Sequence, residues 1–417
     1  MKVFFRNIHL YLSLSAGIVI AIVCFTGAAL VFEKEMQMFI YPERYRVEVG
    51  LQHISIVQLI TTLQRQVPDA KVRSVKVYSD PKRSIEFNYS LKAEKGSEEV
   101  QKKGVDERVS KAGNKKDLTF ENKPGIKPPE GDRGPTMQAF MNPYTGDLIS
   151  QYDHRNSFFF TMFSLHRWLL MGDAGKLIVG ISTSIFLFIL ITGIVLWWPK
   201  NKKVLQQRLK LKWMGRWKRI NHDLHIVIGF YAAVFLFTFA FTGLAWSFQW
   251  FNDGIYWITG TDTKRPEAPA SVIPENTKAV TPDAVYAAAF QLQPDAEYYT
   301  INLPREATAS YSVTLLNKKA AHERASDQLY FDQYSGGLIG KSLFLERNLG
   351  QRTRSTFYPV HVGSIGGMPG RIIAFVACVA GFTFPVTGTI LWISRLRKKK
   401  KKGGNAEVEE ELEEAVV

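Results

Sequence analysis

Four runs of nearly uncharged residues dominate this sequence: Leu10 to Phe32, Leu177 to Trp198, Ile226 to Phe248 and Ile372 to Ile393. A helix rises 1.5 Å per residue, so each run is long enough to cross the roughly 30 Å hydrocarbon core of a bilayer. The segments between them are as polar as ordinary soluble domains. The chain therefore reads as an integral membrane α-helical protein with four transmembrane helices. The first run has no small-residue cleavage site and continues through Ala28, Ala29 and Leu30, so it is expected as a retained anchor rather than a signal peptide.

The formal net charge of +15 is unevenly spread. Lys200, Lys202, Lys203, Arg208, Lys210, Lys212, Arg216, Lys218 and Arg219 lie between runs two and three with no acidic residue among them. Short cationic loops stay on the cytoplasmic side. Lys2 and Arg6 at one end, and Arg395, Arg397 and Lys398 to Lys402 at the other, agree with that side. Both termini are then cytoplasmic, and the two long polar segments face outward, into the periplasm of a two-membrane cell. The cations are thereby explained as a sorting signal, and nucleic acid is not expected as a partner. The acidic tail, Glu407 to Glu414, reads as solvated and disordered.

The chain also reads as two copies of one unit. Aligning Thr26-Gly27 with Thr242-Gly243 superposes His9 on His225 without a gap, and aligning Thr192-Gly193 with Thr387-Gly388 superposes His166 on His361. In the outer segments, Tyr144-Thr-Gly-Asp-Leu-Ile matches Tyr334-Ser-Gly-Gly-Leu-Ile. Helical spacing over Ile54 to Gln66 and Pro282 to Gln291 precedes alternating strands at Arg73 to Tyr78, Ser84 to Tyr89 and Tyr311 to Leu316, which predicts a small α+β domain in each half. The expected order is span one at 1–33, an outer domain at 34–165 with a flexible insertion at 91–135, span two at 166–198 and a basic loop at 199–221. Span three at 222–251, a second outer domain at 252–360, span four at 361–394 and a charged tail at 395–417 complete it.

Histidine is costly in a membrane span and commonly faces a bundle interior. By topology His9 and His225 lie near the cytoplasmic face, and His166 and His361 near the outer one. Two histidines on facing helices at one depth can ligate a metal from opposite sides, and neutral imidazole is a good axial ligand for haem iron. Two layers would make two b-type haems, with a purely structural arrangement or a non-haem metal as the alternatives. Ser13 and Ala16, with Gly229 and Ala232, put small residues on the inner-histidine faces and leave room for a flat macrocycle, although small residues also serve plain helix packing. His222 shares the helical face of His225 and stands as the alternative inner ligand. Arg6, Arg219, Arg167 and Arg371 flank the two layers as candidate partners for haem propionates, or as interface anchors. Trp197, Trp198 and Trp392 read as an interfacial aromatic belt. His53, His154 and His322 have no repeat counterpart and read as local hydrogen-bonding residues. The two cysteines, Cys24 and Cys378, both lie in apolar runs, so neither a disulfide scaffold nor covalent haem attachment is indicated.

Taken together, His9 with Thr26-Gly27, Tyr144-Thr-Gly-Asp, His166 with Thr192-Gly193, His225 with Thr242-Gly243 and His361 with Thr387-Gly388 resemble the PepSY-associated transmembrane family over nearly the whole chain. The resemblance implies a bacterial inner-membrane protein with periplasmic PepSY domains, in a group that includes di-haem reductases of ferric siderophores. It also implies His9, His225, His166 and His361 as axial ligands. Some relatives carry a fused flavin or nicotinamide reductase domain, whereas this sequence has no glycine-rich dinucleotide fingerprint. A quinol or a separate reductase is then the expected electron donor.

The expected function is an oxidoreductase that passes electrons through the membrane to a periplasmic ferric chelate. No acid, base or nucleophile triad is expected, because the cofactor carries the redox chemistry. The alternative is a haem-free PepSY protein, regulatory or for assembly, that binds a periplasmic partner. A permease is less favoured, because the histidines stand at the faces rather than at the midplane.

Overall fold

The computed structural model describes residues 2–91, 136–264, 266–275 and 278–414, with the side chains of residues 136 and 399–414 excepted. The expected insertion at 91–135 lies outside the described residues except for Leu91, which ends a strand.

Four helices are long and apolar enough to cross a membrane, spanning Lys2–Val31, Gly172–Trp197, Trp217–Ser247 and Ser364–Lys398. In chain order the helices are α1 (Lys2–Val31), α2 (Glu33–Ile40), α3 (Pro42–Tyr45), α4 (Ile56–Gln66), α5 (Phe158–Trp168), α6 (Gly172–Trp197), α7 (Lys202–Leu209) and α8 (Trp217–Asp223). A π-helical turn, Leu224–Ile228, joins α8 to α9 (Gly229–Ser247), and α10 (Gln249–Ile258), α11 (Pro282–Leu292), α12 (Leu349–His361) and α13 (Gly367–Glu414) follow. Each spanning helix packs against two others, in the ring α1, α6, α9, α13.

The bundle interior combines large apolar residues such as Ile20, Phe186, Leu190 and Leu236 with many small ones, among them Ala16, Gly17, Ala232, Ala233, Ala377 and Ala380, all buried. Large apolar side chains such as Ile18, Val234, Phe188 and Val376 point outward and are exposed. In water that pattern would be costly. In lipid it is favoured, because tails solvate the outer side chains while small residues let backbones approach.

Spans two and four begin later than expected. His166 lies on α5, and the chain turns through left-handed backbone at Leu169 and Leu170 (φ 51° and 59°) before α6 starts at Gly172. His361 likewise ends α12, before α13 starts at Gly367. The tail expected to be disordered is helical to Glu414 as the continuation of α13. Its lysines and glutamates are good helix formers, and they extend an existing helix without a new nucleation cost.

The outer segments contain the expected helices α4 and α11 and the three expected strands, as β1 (Ala70–Tyr78), β2 (Ile85–Leu91) and β6 (Tyr311–Asn317), together with β3 (Thr136–Met141), β4 (Leu148–Asp153), β5 (Ala296–Asn302), β7 (Asp327–Phe331) and β8 (Leu338–Ser342). The two segments, expected as a domain apiece, share one antiparallel sheet of order β4-β3-β2-β1-β5-β6-β7-β8. The seam is β1 against β5, with Val75 opposite Ile301 and Val77 opposite Tyr299. One core serves both segments: Leu59 and Leu63 of α4 and Val285 and Ala289 of α11 pack with Phe87, Tyr89, Tyr299 and Phe331. The Ser55 and Thr281 side chains cap the starts of α4 and α11.

Candidate functional site

The four histidines meet in two pairs. His9 and His225 have ring centroids 6.4 Å apart with planes at 90°. His166 and His361 are 6.1 Å apart at 73°. The first pair lies toward the end of the bundle that carries the basic loop, where Lys2 donates to the Trp198 carbonyl. The second lies toward the sheet. His9 and Gly27, which marks the level of the second pair, are about 27 Å apart along α1 at 1.5 Å per residue. The pairs therefore stand near opposite edges of the hydrocarbon layer.

Every ring is held by a Thr-Gly dipeptide of a neighbouring span. His9 Nδ1 lies 3.0 Å from Thr192 Oγ1, and His166 Nδ1 lies 3.3 Å from Thr26 Oγ1. His225 Nδ1 lies 2.9 Å from Thr387 Oγ1, and His361 Nδ1 lies 3.0 Å from Thr242 Oγ1. The glycine beside each threonine provides the space for the ring. A Cβ at Gly193, Gly27, Gly388 or Gly243 would sit 3.3, 3.2, 3.1 and 3.4 Å from the Cε1 of His9, His166, His225 and His361, respectively.

These bonds fix the tautomer. Each threonine hydroxyl donates to carbonyls three and four residues back on its own helix, as Thr242 does to Phe239 and Thr238. With its proton so used, the hydroxyl oxygen accepts from the imidazole, and Nδ1 must carry the hydrogen. Three of the rings also donate from Nδ1 to a main-chain carbonyl: His9 to Ile189, His166 to Val23 and His361 to Phe239. Nε2 is then a bare lone pair on every ring, and in each pair two such rings lie side by side. A metal–imidazole bond is about 2.0 Å, so two imidazoles on opposite sides of one ion have centroids roughly 6 Å apart. Both observed separations match.

Comparison with family models adds the lineage. The PepSY-associated TM region matches residues 6–395. The chain belongs to that family. Curated proteins gave no match.

Around the first pair, this PepSY-associated TM chain has a cavity of ≈ 440 Å³, lined by both histidines. Its walls are mostly apolar, with Gly17, Phe186, Gly229, Ala233 and Phe384 among them, and Arg6, Arg208 and Arg395 also line it. Of the flanking arginines singled out in the sequence, Arg6 is on the cavity and Arg219 is not: Arg219 is bound to buried Asp223, Nε to Oδ1 2.9 Å. Arg167 lies beside the second pair and donates to the Trp246 carbonyl at 3.4 Å, while the Trp246 ring lies 5.4 Å from His361. Arg371 is engaged by Glu35 and Glu323.

Arg208 and Arg395 escaped the sequence reading. Arg208 looks like any cation of the basic loop, but α7 folds it back onto the carbonyls that end α6, including that of Trp197. Arg395 is seven residues beyond Gly388, about two helical turns along the same face, and that spacing was a usable signal. Trp197 and Trp392 also line the cavity, and Trp197 is stacked on Phe230 with centroids 3.7 Å apart. Trp198 alone of the three is largely exposed.

His222 bonds Asp223 through Nδ1 at 3.1 Å, and it is His225, not His222, that forms the ring pair with His9. His53 lies against Tyr144, His154 against Phe160 and His322 against Phe344, all on the sheet side of the molecule. Among the described residues no group of three or more His, Cys, Asp or Glu gathers as a metal site. Each pair thus brings two imidazoles together.

Proposed function

We propose that the protein is a membrane electron carrier with two b-type haems, one that His9 and His225 would hold and one that His166 and His361 would hold. The observation that carries this reading is the pairing of Nδ1-protonated imidazoles at the spacing of a bis-imidazole metal centre, twice. Two neutral imidazoles brought together in this way would hold haem iron. The apolar cavity of ≈ 440 Å³ with arginines in its wall matches the chemistry of a flat, greasy ring with carboxylates on one edge. The buried Trp197 Nε1–H has no acceptor among the described residues, which leaves a donor for such a group.

Bound haem would supply one-electron chemistry near each face of the membrane. The chain's own residues would do the rest. The threonines keep Nε2 deprotonated, the glycines set ring position, and the apolar bundle keeps water from both centres. By the positive-inside rule the basic loop is cytoplasmic, so electrons run from the His9–His225 side to the His166–His361 side. The wider reading is a duplicated unit in a bacterial inner membrane, with the sheet in the periplasm. There it acts as an oxidoreductase on a ferric chelate of the siderophore class, and ferrous iron is released because the chelate binds it less tightly. The donor is a quinol or a separate reductase.

Haem stoichiometry by pyridine haemochrome assay tests the assignment. His9→Ala and His225→Ala should each leave one haem, as should His166→Ala and His361→Ala, with the two groups losing spectroscopically different haems. Two haems retained in all four variants would overturn it, as would wild-type protein without haem.

A further inference from the structure

One of the four rings is held differently. His9, His166 and His361 each donate from Nδ1 to a main-chain carbonyl as well as to a threonine. No side-chain substitution removes a carbonyl. For His225 the Nδ1 partner among the described residues is the Thr387 hydroxyl alone, at 2.9 Å. His225 is also the ring carried on the π-helical turn Leu224–Ile228, where the helix is locally wider.

Thr387 is tied to the same stretch of chain a second time. Asn221, 1% exposed, donates Nδ2 to the Thr387 carbonyl at 3.1 Å. Main chain and side chain of this one residue therefore brace the segment that presents His225.

We propose that Thr387 is the positioning residue of the His9–His225 centre: its hydroxyl alone fixes the Nδ1–H tautomer and ring plane of His225. The inference rests on the haem reading above. It separates the two centres, because the His166–His361 pair keeps carbonyl acceptors on both rings and the His9–His225 pair keeps one on His9 only. An Nδ1–H donated to a good acceptor makes Nε2 more basic, which favours ferric over ferrous iron. Removing the acceptor from His225 lowers that basicity, and the midpoint potential of that haem rises.

The test uses the full-length protein in lipid nanodiscs, with redox titration followed optically and low-spin ferric haem followed by electron paramagnetic resonance. Thr387→Val should raise one of the two potentials, alter one of the two low-spin signals, and weaken retention of that haem by roughly tenfold or more. Thr387→Ser should restore all three, which separates the hydroxyl from the packing. Thr242→Val and Thr192→Val, which leave a carbonyl in place, should each shift a potential less. If Thr387→Val leaves both potentials and both signals unchanged, or if Thr242→Val shifts its haem equally, the proposal is overturned while the haem reading stands. Wild-type protein without haem overturns both.

Discussion

Threonines 26, 192, 242 and 387 are buried to 8% exposure or less in an apolar bundle, and the reason is in their hydrogen bonds. Each satisfies its own helix with its proton and a histidine with its oxygen, so neither end of the hydroxyl is left without a partner. The histidines were legible as a matched set in the sequence, but the partner of each ring was not, since a threonine 140 or more residues away in three of the four cases, and 119 in the other, supplies it. Asp332, at the sheet, is likewise held by donors both near and far in the chain. Its carboxylate accepts from the backbone N–H groups of Ser335, Tyr334 and Val272, which hold its pKa down to about 2. A depressed carboxyl stabilises the fold above its unfolded value, near 3.8, and loses that contribution as pH falls toward about 2. Asn142, at the matching turn, accepts from the Tyr144 N–H with an uncharged amide. Asp332→Asn should therefore fold, and its stability deficit relative to wild type should shrink between pH 5 and pH ~2.5 in paired thermal melts. A deficit that stays constant across that range would show that ionisation of Asp332 is not the source.

At the scale of elements, α1 and α13 cross through a reciprocal fit that the sequence carried without revealing. Cys24 precedes Gly27 by three residues, and Cys378 precedes Gly381 by the same interval. In the folded bundle a Cβ on Gly381 would lie 2.7 Å from Cys24 Sγ, and one on Gly27 would lie 3.6 Å from Cys378 Sγ, so each thiol faces the other helix's glycine. The cysteines are thus packing residues at a close helix crossing. Gly381→Ala should destabilise the bundle by about 1–3 kcal/mol through overpacking. Adding Cys24→Ala should recover most of that loss in detergent melts. A double variant no more stable than the single one would place the strain elsewhere. Element boundaries were the weaker part of the sequence reading. Apolar content marked all four spans, but it could not show that His166 and His361 sit on separate helices before spans two and four, because the breaks at Leu169 to Met171 and Val362 to Gly366 lack charge.

Over the whole molecule, the outer segments join into one sheet, and that has a mechanical consequence. The seam between β1 and β5 ties the chain after α1 to the chain after α9, so the two halves of the bundle are bridged on the sheet side. Thr300 is paired to Lys76 on one side and to Thr314 on the other, well inside the sheet. A proline there removes a ladder donor in a central strand and leaves its acceptor unpaired, at a cost of about 1–3 kcal/mol. Thr300→Pro should speed proteolysis in both outer segments together, as mapped by mass spectrometry of limited digests, because their core is common. Faster cleavage confined to residues 278–342 would mean that the segments are stable separately.

Local chemistry decided what could be read from the order of residues. Span length, the cationic loop and the helix and strand patterns of the outer segments all act over a few turns or strands. The spacing of His9 and Thr26-Gly27, repeated at His225, was visible for the same reason. Which threonine holds which ring, the joining of two segments across β1 and β5, and the return of Arg208 and Arg395 to the His9–His225 cavity depended on the tertiary structure. They are contacts between residues far apart in the chain, and only packing four helices and one sheet at particular distances determines them.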